Sequence, residues 1–513
     1  MISWQRGKGN GMISADGIND DQTLNVAEKG EMYTGTAIAT AETALEEIVI
    51  EEPINLWQQG QLLETTIDDL SNSGDGVGRW EGRVIFVPDT VVGDRISVRL
   101  VRVKPQYAYG KLHKVLEPSS HRIRPGCIVA DKCGGCQWQH IDYAYQREAK
   151  RNLVMQDLER IGGFSNPPVD AMLSVLEETS LEATGIGYRN KVTYPLARSA
   201  TKQVQAGYYQ KGTHQLINLN QCPIQDVRLN PLLAEVKQDL YKRGWSIYSE
   251  EQHRGKLRHL GLRIGRRTGE ILLTLVSTDG NLAGLDEQAE EWLGRYPELV
   301  GVSVNINRDR TNAIFGKETR CVAGQSYLQE EFAGLKFHIQ PTTFFQVFTE
   351  QAEALLLAIA AELNLQGHET LVDAYCGVGT LTLPLAKQVQ QAIGLEVQPE
   401  AVEQAQVNAE LNGITNATFQ TGTVEALLGQ LEVQPDIVLL DPPRKGCDRK
   451  VIDTLLKLLP ARIVYVSCNP STLARDLKIL CQGGYRLTRV RPADFFPQTA
   501  HVECVAFLVR DEA

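Results

Sequence analysis

From Phe344 to the end of the chain, short apolar segments of β-forming residues alternate with helical segments. An alternation of this kind predicts an α/β fold, a doubly wound sheet with helices on both faces. Ligands of such sheets bind at the carboxyl ends of the strands, so functional residues are expected there. The predicted strands are Thr370–Ala374, Ala392–Glu396, Thr418–Thr421, Ile437–Leu440, Ile463–Val466, Tyr485–Arg491 and Val502–Val509.

One of these strands leads directly into a candidate nucleophile. The apolar residues Ile463–Val466 are followed by Ser-Cys468-Asn, and Pro470 suits the first turn of a helix because its fixed φ is helical. The carboxyl end of a strand and the positive end of a helix dipole thus meet at Cys468, and the dipole favours a thiolate. These residues alone are equally compatible with a buried structural cysteine.

Two other strand ends carry a motif for an adenosine-bearing methyl donor. The segment from Asp373 to Gly379 joins a strand to a helix through a glycine turn, where the backbone can approach the amino-acid part of S-adenosylmethionine. Glu396 ends the next strand, about twenty residues further on, and an acid there can bind ribose hydroxyls. The βαβ context of both pieces predicts S-adenosylmethionine as the cofactor.

The loop that follows the fourth strand indicates the target. Asp441-Pro-Pro-Arg444 is extended and rigid because of its two prolines, and in methyltransferases such a loop holds a planar base. Because the next strand delivers a cysteine, the predicted target is a carbon atom. C5 of uracil fits, since a thiolate that adds at C6 makes C5 nucleophilic. A base must then remove the C5 proton, and Glu503, at the start of the last strand, is the candidate.

Four cysteines upstream of this region have the spacing of a thiolate site. Cys127, Cys133 and Cys136 lie close together, with the last two in a Cys-Gly-Gly-Cys segment, and Cys222 follows much later, directly before a proline. Four thiolates bind either zinc or an iron–sulfur cluster, and the spacing leaves both open.

The part of the chain before the α/β region is predicted to be rich in strands. Alternating segments in residues 57–118 predict a small β-barrel, and residues 164–340 predict a mostly antiparallel sheet. Helices are predicted over 140–163, Asn230–Lys242 and Leu285–Arg295. Basic residues cluster in 95–124 and 254–267, which predicts a phosphate-binding track. A barrel without a ligand and a scaffold with solvated arginines are the alternatives.

Charge and composition indicate the cellular compartment in which the protein is expected to work. The net charge is −11, and residues 1–56 are acidic and lack periodicity, so a disordered acidic tail is predicted there. No apolar run approaches the about 20 residues of a membrane span, and the first residues lack a secretory signal. The prediction is a cytoplasmic protein without membrane association or an obligate protein partner, and its cysteines are expected to be reduced.

Taken in order, the segments FFQV (Phe344–Val347), DAYCGVGT, GLE, LLDPPRKG, YVSCNP and HVE resemble the RNA 5-methyluridine methyltransferase family. The resemblance covers about residues 57–513 and implies a class I methyltransferase fold with Cys468 as nucleophile and Glu503 as base. It implies Gln346, Tyr375, Glu396 and Asp441 as contacts of S-adenosylmethionine, with Asp441 near the target base. The residues that resemble [4Fe–4S] ligands of the ribosomal RNA branch are Cys127, Cys133, Cys136 and Cys222.

The domain organisation follows from these features. The predicted parts are a tail (1–56), a barrel that resembles the TRAM domain (57–118), a central β-rich iron–sulfur and RNA-binding domain (119–340) and the methyltransferase domain (341–513). The leading prediction is methylation of uracil C5 in RNA, with 23S ribosomal RNA as substrate. Its alternatives are a transfer RNA uridine methyltransferase and a non-catalytic RNA-binding assembly factor.

Overall fold

The computed structural model describes residues 57–175 and 184–511. The tail predicted over residues 1–56 lies outside the described residues. The described part contains one closed barrel, two seven-stranded sheets and a small two-stranded sheet. No helix in these two ranges combines the length and the hydrophobicity needed to span a bilayer.

The first five strands close into a barrel in the order β1-β2-β3-β5-β4, which leaves no free sheet edge. Leu63, Thr65 and Ile67 point inward along the first strand while their neighbours face solvent, as the period of two requires. The predicted oligonucleotide-binding-type barrel is thereby confirmed. Its strands are Leu62–Leu70 (β1), Gly76–Trp80 (β2), Arg83–Val87 (β3), Arg95–Val103 (β4) and Tyr107–Glu117 (β5).

A helix packs against the barrel, since its residues Ala149 and Leu153 lie in one buried cluster with Leu70. Helix α1 spans Tyr143–Asp157 and continues as a π-helical turn over Leu158–Gly162. The side chain of Asp142 caps its start by accepting from the backbone N–H of Tyr145, and Gly163 ends it with a left-handed φ of 74°. The helix predicted over 140–163 is thus present, but it begins three residues later, behind its cap.

The central sheet has the order β12-β11-β10-β9-β6-β7-β8. All its pairings are antiparallel except β10 with β11, so the predicted mostly antiparallel region is confirmed. Its strands are Lys191–Arg198 (β6), Val204–Tyr209 (β7), Leu216–Asn218 (β8), Leu257–Ile264 (β9), Ile271–Ser277 (β10), Leu299–Ile306 (β11) and Glu318–Gly324 (β12). Its helices are Asn230–Arg243 (α2) and Leu285–Arg295 (α3), and the hairpin that follows is Leu328–Phe332 (β13) and Leu335–Ile339 (β14).

The last sheet is the doubly wound sheet that the sequence predicts, in the order β17-β16-β15-β18-β19-β21-β20. Five strands, β15 to β19, pair with one another in parallel. Strand β21 is antiparallel to both of its neighbours, β19 and β20. The strands are Thr370–Ala374 (β15), Gln391–Glu396 (β16), Ala417–Thr421 (β17), Ile437–Leu440 (β18), Arg462–Ser467 (β19), Tyr485–Ala493 (β20) and Glu503–Arg510 (β21). The helices are Thr349–Leu363 (α4), Thr382–Ala386 (α5), Pro399–Leu411 (α6), Val424–Leu427 (α7), Arg449–Leu458 (α8) and Pro470–Gln482 (α9).

Both faces of this sheet are buried, each in its own apolar cluster. Ile463 and Tyr465 of β19 lie in one cluster, and Val464 and Val466 lie in the other. The second cluster also holds Phe345, from the segment before α4. Because β21 is antiparallel to β19, its start lies at the same edge of the sheet as the ends of the parallel strands.

Candidate active site

Cys468 lies where the sequence predicts it, between the end of β19 and the start of α9. Asn469 caps this helix, since its side-chain oxygen accepts from the backbone N–H of Ser471 at 3.1 Å. The amide group of Asn469 also donates to the carbonyl of Arg444 at 3.1 Å, which ties the cysteine loop to the loop after β18. The thiol-bearing residue is therefore held by a capped helix and is half-buried.

Glu503 is the first residue of β21 and is 5% exposed. In the pairing of β19 with β21, Ser467 lies opposite Cys504. One step further along both strands brings Cys468 and Glu503 side by side. The two predicted catalytic residues, 35 positions apart in the chain, thus meet at one edge of the sheet.

Asp441 completes the group, because Leu440 pairs with Tyr465 on the neighbouring strand. Side chains alternate between sheet faces, so residues two apart along a strand share a face. The residues at that spacing from Asp441, Cys468 and Glu503 are Leu439, Val466 and Val505, which all belong to one buried cluster. The thiol and the two carboxyl groups therefore project from the same face.

The electrostatics of this group differ from the sequence-based expectation. Burial, followed by the nearby Glu503 and Asp441, raises the pKa of the Cys468 thiol to about 12, and Arg444 opposes this shift. The predicted preference of the helix dipole for a thiolate is thus outweighed in the ligand-free site. Burial also raises the pKa of Asp441 to about 7 and that of Glu503 well above its usual value.

The glycine turn after β15 has an open backbone surface. Gly377 and Gly379 have φ angles of 56° and 85°, a region that favours glycine, and a Cβ at Gly377 would meet nothing within 4 Å. Glu396 fixes the turn, since its carboxylate accepts from the N–H of Gly377 at 3.1 Å and from that of Gln398 at 2.8 Å. Behind the turn, Asp373 accepts from Thr382 at 2.6 Å, and burial raises its pKa to about 7.

The other two predicted contacts of the methyl donor approach from different sides. Tyr375 directly follows β15 with a φ of 79°, a strained conformation for a non-glycine residue, and packs against the apolar cluster opposite to that of Val466. Gln346 precedes α4, is half-buried, and its carbonyl accepts from the side chain of Asn190 at 2.8 Å. Its neighbour Phe345 lies in the cluster on the catalytic side of the sheet.

The four cysteines of the predicted cluster site line one small cavity together with Pro223. Burial raises the pKa of Cys136 to about 12 and that of Cys222 to about 11, and the neighbouring thiols contribute in the same direction. Within the described ranges, no three carboxylate, imidazole or thiol side chains are arranged to hold a single metal ion. The donor set nevertheless fits a thiolate-bound cluster, since the four sulfur-bearing residues enclose one space lined largely by apolar residues.

The predicted basic track is present only in part. Arg95 pairs with Glu64 and Glu117 at 2.9 and 2.7 Å, and Arg122 pairs with Asp94 at 2.5 Å. In the second cluster Arg266 pairs with Asp226 and Glu350, and Arg258 and Arg263 are buried. Much of the second cluster is thus internal, which contradicts the alternative of a scaffold with solvated arginines and leaves the predicted phosphate-binding track without a continuous exposed face there. The exposed cations of the first cluster are Arg99, Arg102, Lys104, Lys111, Lys114 and Arg124.

Arg444 is a candidate functional residue that the motif contains but that sequence reasoning did not select. Its charge lowers the pKa of both the Cys468 thiol and the Glu503 carboxyl group. Its guanidinium also approaches the ring of His501, at 3.5 Å between Nη2 and Nε2. The sequence signal for Arg444 was its position directly after the two prolines. Only the fold shows that this arginine lies near the thiol.

Comparisons with known proteins agree with this geometry. Residues 313–431 and 427–511 match the family model described as tRNA (Uracil-5-)-methyltransferase, and residues 56–113 match the TRAM domain. An uncharacterized RNA methyltransferase of Nostoc sp. is 68% identical over 89% of this chain and 98% of its own. One of Synechocystis sp. is 57% identical over 88% and 96%.

A solved structure is similar over almost the same length. It is the tRNA (uracil-54, C5)-methyltransferase of Pyrococcus abyssi in complex with S-adenosyl-L-homocysteine, with a TM-score of 0.68 and 29% identity. The match covers 87% of this chain and 100% of that one. The doubly wound sheet and its strand-end site define a class I methyltransferase. The chain belongs to the RNA (uracil-C5) methyltransferase family with a TRAM domain, and it is an enzyme of that class.

Proposed function

We propose that the protein methylates C5 of a uridine in RNA through a covalent bond between Cys468 and C6 of the base. The observation that carries this proposal is the convergence of Cys468, Glu503 and Asp441 at one sheet edge. The thiol loses its proton and adds to C6, which makes C5 nucleophilic. Once C5 carries the methyl group, Glu503 removes the C5 proton, and elimination of the thiolate restores the double bond.

S-adenosylmethionine supplies the methyl group when it is bound. Its proposed contacts are Gln346, Tyr375, Glu396 and Asp441, and the open backbone at Gly377 leaves room for a ligand. The similar Pyrococcus abyssi structure contains the demethylated form of this molecule, which supports the same donor here. Asp441 is proposed to face both donor and base, because it follows β18, and β18 lies between the strand before Tyr375 and the strand before Cys468.

We also propose that Cys127, Cys133, Cys136 and Cys222 hold a [4Fe–4S] cluster with a structural role. A single zinc ion would need sulfurs close enough for four bonds of about 2.3 Å to one point. Thiolates of a cluster bind different irons, and the support for a cluster here is the one small cavity that all four cysteines line. Protein purified without oxygen is expected to contain iron and sulfide in equal amounts, and Cys136→Ser is expected to lose both. Zinc in stoichiometric amount would contradict the cluster.

Large-subunit ribosomal RNA is the proposed substrate, because the barrel and the four-cysteine site resemble that branch of the family. In the proposed division of labour, residues 57–118 and 119–340 hold the RNA and residues 341–513 transfer the methyl group. The exposed cations Arg99, Arg102 and Lys111 of the barrel suit contacts with a nucleic-acid backbone. The target uridine must leave its stack to reach Cys468, at a cost of a few kcal/mol.

Transfer RNA is the second candidate. It is favoured by the TM-score of 0.68 to an enzyme that acts on uracil 54 of tRNA. The two substrates are distinguished by quantifying 5-methyluridine separately in ribosomal and transfer RNA from cells that lack the protein. Loss in the ribosomal pool supports the first, and loss confined to transfer RNA supports the second. Unchanged levels in both would contradict the proposed reaction.

The covalent mechanism is tested with two variants. Cys468→Ala is expected to lower the rate of methyl transfer by about three orders of magnitude and to form no protein–RNA adduct. Glu503→Gln is expected to accumulate the adduct, because the C5 proton then stays in place and blocks elimination. Adducts are counted on denaturing gels and methylated uridine by mass spectrometry. Cys481→Ala, which removes a half-buried thiol of α9, is the matched control and is expected to behave as wild type. Full activity of Cys468→Ala would exclude the mechanism.

A further inference from the structure

Two cations lie directly opposite each other on neighbouring strands of the central sheet. Lys191 of β6 pairs with Arg263 of β9 in the antiparallel register. Arg263 is 5% exposed, and one of its nitrogens donates to the carbonyl of Thr343 at 2.5 Å. Its other two, Nε and Nη1, are buried and have no hydrogen-bond partner among the described residues. Two donors of a buried guanidinium are thus left for a ligand.

The surroundings of this pair do not balance its charge. The charged groups that act on Lys191 are Arg263 and Arg189, both cations, and together with burial they lower its pKa well below the usual value. Burial lowers the pKa of Arg263 to about 9. Lys191 is half-buried, and its Nζ lies 5.3 Å from the ring centroid of Phe315, a favourable but weak contact. Like charges opposite each other on strands destabilise a sheet, so a bound anion would stabilise this pair.

The other buried cations within residues 57–175 and 184–511 have hydrogen-bond or ion-pair partners, which sets this pair apart. Lys150 is paired with Asp494 at 2.6 Å. Lys237 donates to the side chains of Asn218 and Asn220 at 2.9 and 2.7 Å, and Arg258 donates to the carbonyls of Asn307 and Asp309 at 3.1 and 2.8 Å. The fold therefore supplies partners for buried cations that have a structural role.

The site adjoins the catalytic face of the methyltransferase sheet. Thr343, whose carbonyl binds Arg263, begins the segment that contains Phe345 and Gln346. Phe345 lies in the same buried cluster as Val466 and Val505, which flank the cysteine and the glutamate. Between Thr343 and that cluster, the side chain of Phe344 is 43% exposed. A ligand at the two cations would thus adjoin the segment that supplies Phe345 and Gln346 to the methyltransferase domain.

We propose that Lys191 and Arg263 bind one phosphodiester group of the substrate RNA, next to the uridine that is methylated. A guanidinium presents its donors as a fork that matches phosphate oxygens, and a lysine adds a point charge. RNA is favoured over a small anion because Arg308, Arg310 and Lys317 are exposed on the loop that carries Phe315. Since RNA is the ligand, this assignment rests on the proposed function.

The test uses Lys191→Ala in the full-length protein, with a short RNA hairpin that has one loop uridine. The affinity for this RNA is expected to fall about tenfold, as for the loss of one hydrogen bond to a charged group. The slope of log affinity against log salt is expected to fall by about 0.7, which is one phosphate contact. Binding of S-adenosylmethionine is expected to stay unchanged, and the melting temperature is expected not to fall, because the removed cation has no carboxylate partner among the described residues. Lys191→Arg is expected to keep the affinity.

The position of the phosphate is tested by replacing each linkage of the hairpin in turn with a neutral methylphosphonate. Replacement of one particular linkage is expected to lower the affinity of wild type about tenfold and to leave the affinity of Lys191→Ala unchanged. Lys457→Ala, which removes an exposed cation from α8, is the matched control and is expected to retain the wild-type pattern. A linkage effect of equal size in both proteins would overturn the assignment. So would inorganic phosphate raising the melting temperature of wild type but not of Lys191→Ala, which would indicate a free anion.

Failure of this site is distinguishable from failure of the proposed function. Methyl transfer to uracil C5 by the wild type is measured on the same hairpin. If the wild type methylates the RNA while Lys191→Ala binds it equally well, only the phosphate site is wrong. If the linkage effect is found but no methylated uridine forms, the phosphate site stands and the reaction is wrong.

Discussion

The Cys468 thiol is held in a neutral form by its surroundings until ligands arrive. Two carboxyl groups and burial raise its pKa to about 12, whereas Arg444 lowers it. A thiol of this kind reacts slowly with solutes, since only the thiolate is nucleophilic. Binding of a positively charged donor and an aromatic base next to Asp441 would change this balance, which would restrict the chemistry to the loaded site.

Substitution of a single neighbour is expected to change the reactivity of this thiol. Asp441→Asn removes a carboxyl group that raises the pKa of the Cys468 thiol. It is therefore expected to speed alkylation of Cys468 by iodoacetamide at pH 8 about tenfold, which corresponds to one pKa unit. Arg444→Gln is expected to slow it by a similar factor. The reaction is followed on the Cys468 peptide by mass spectrometry, with the Cys481 peptide of the same sample as the internal control. Equal rates in the two variants would contradict this account.

The barrel depends on one buried carboxylate at the start of β4. Asp94 is fully buried and accepts from the backbone N–H groups of Val91 and Ser119 at 2.7 and 2.9 Å, as well as from Arg122. These donors hold its pKa below the usual value although burial itself opposes the shift. Asp94 thus connects the start of β4 with the segment that leads to the cysteine site.

Asp94→Asn is expected to destabilise the barrel by about 3 kcal/mol, because it leaves Arg122 without its charge partner. Hydrogen exchange of the β4 amides reports this loss, and Asp68→Asn, an exposed position on β1, is the control. The stabilisation is present above the unfolded-state pKa and is lost as the pH falls through the lower folded-state value. Unchanged exchange in Asp94→Asn would show that the ion pair is dispensable.

At the scale of the whole molecule, α1 holds the loop that leads into Glu503. Lys150 pairs with Asp494 and donates to the carbonyl of Phe496 at 3.1 Å. Gln146 exchanges two hydrogen bonds of 3.0 Å with Gln498. The position of the proposed base therefore depends on contacts with a helix about 350 residues away in the chain.

Lys150→Met is expected to cost about 3–5 kcal/mol of stability, since it leaves Asp494 buried and without a cation. The double variant Lys150→Met with Asp494→Asn is expected to recover part of this loss, as a double-mutant cycle requires for a direct pair. Melting temperatures measure the stability, and the rate of methyl transfer relative to donor binding measures the placement of Glu503. Losses that simply add in the double variant would exclude a coupled pair.

The sequence by itself determined the elements of the methyltransferase sheet and where its reactive residues would lie. Strand and helix periodicities are local, and Cys468, Asp441 and Glu396 follow or end strands that a short window can identify. Glu503 could be selected because the chemistry at Cys468 requires a base. Only the tertiary structure decided which charged side chains form ion pairs within the protein. Arg266 pairs with Glu350 and Lys150 pairs with Asp494 far away in the chain, whereas Lys191 and Arg263 face each other with no carboxylate partner among the described residues. Such pairings depend on strand order and packing between distant segments, because charge is balanced through space and not along the chain.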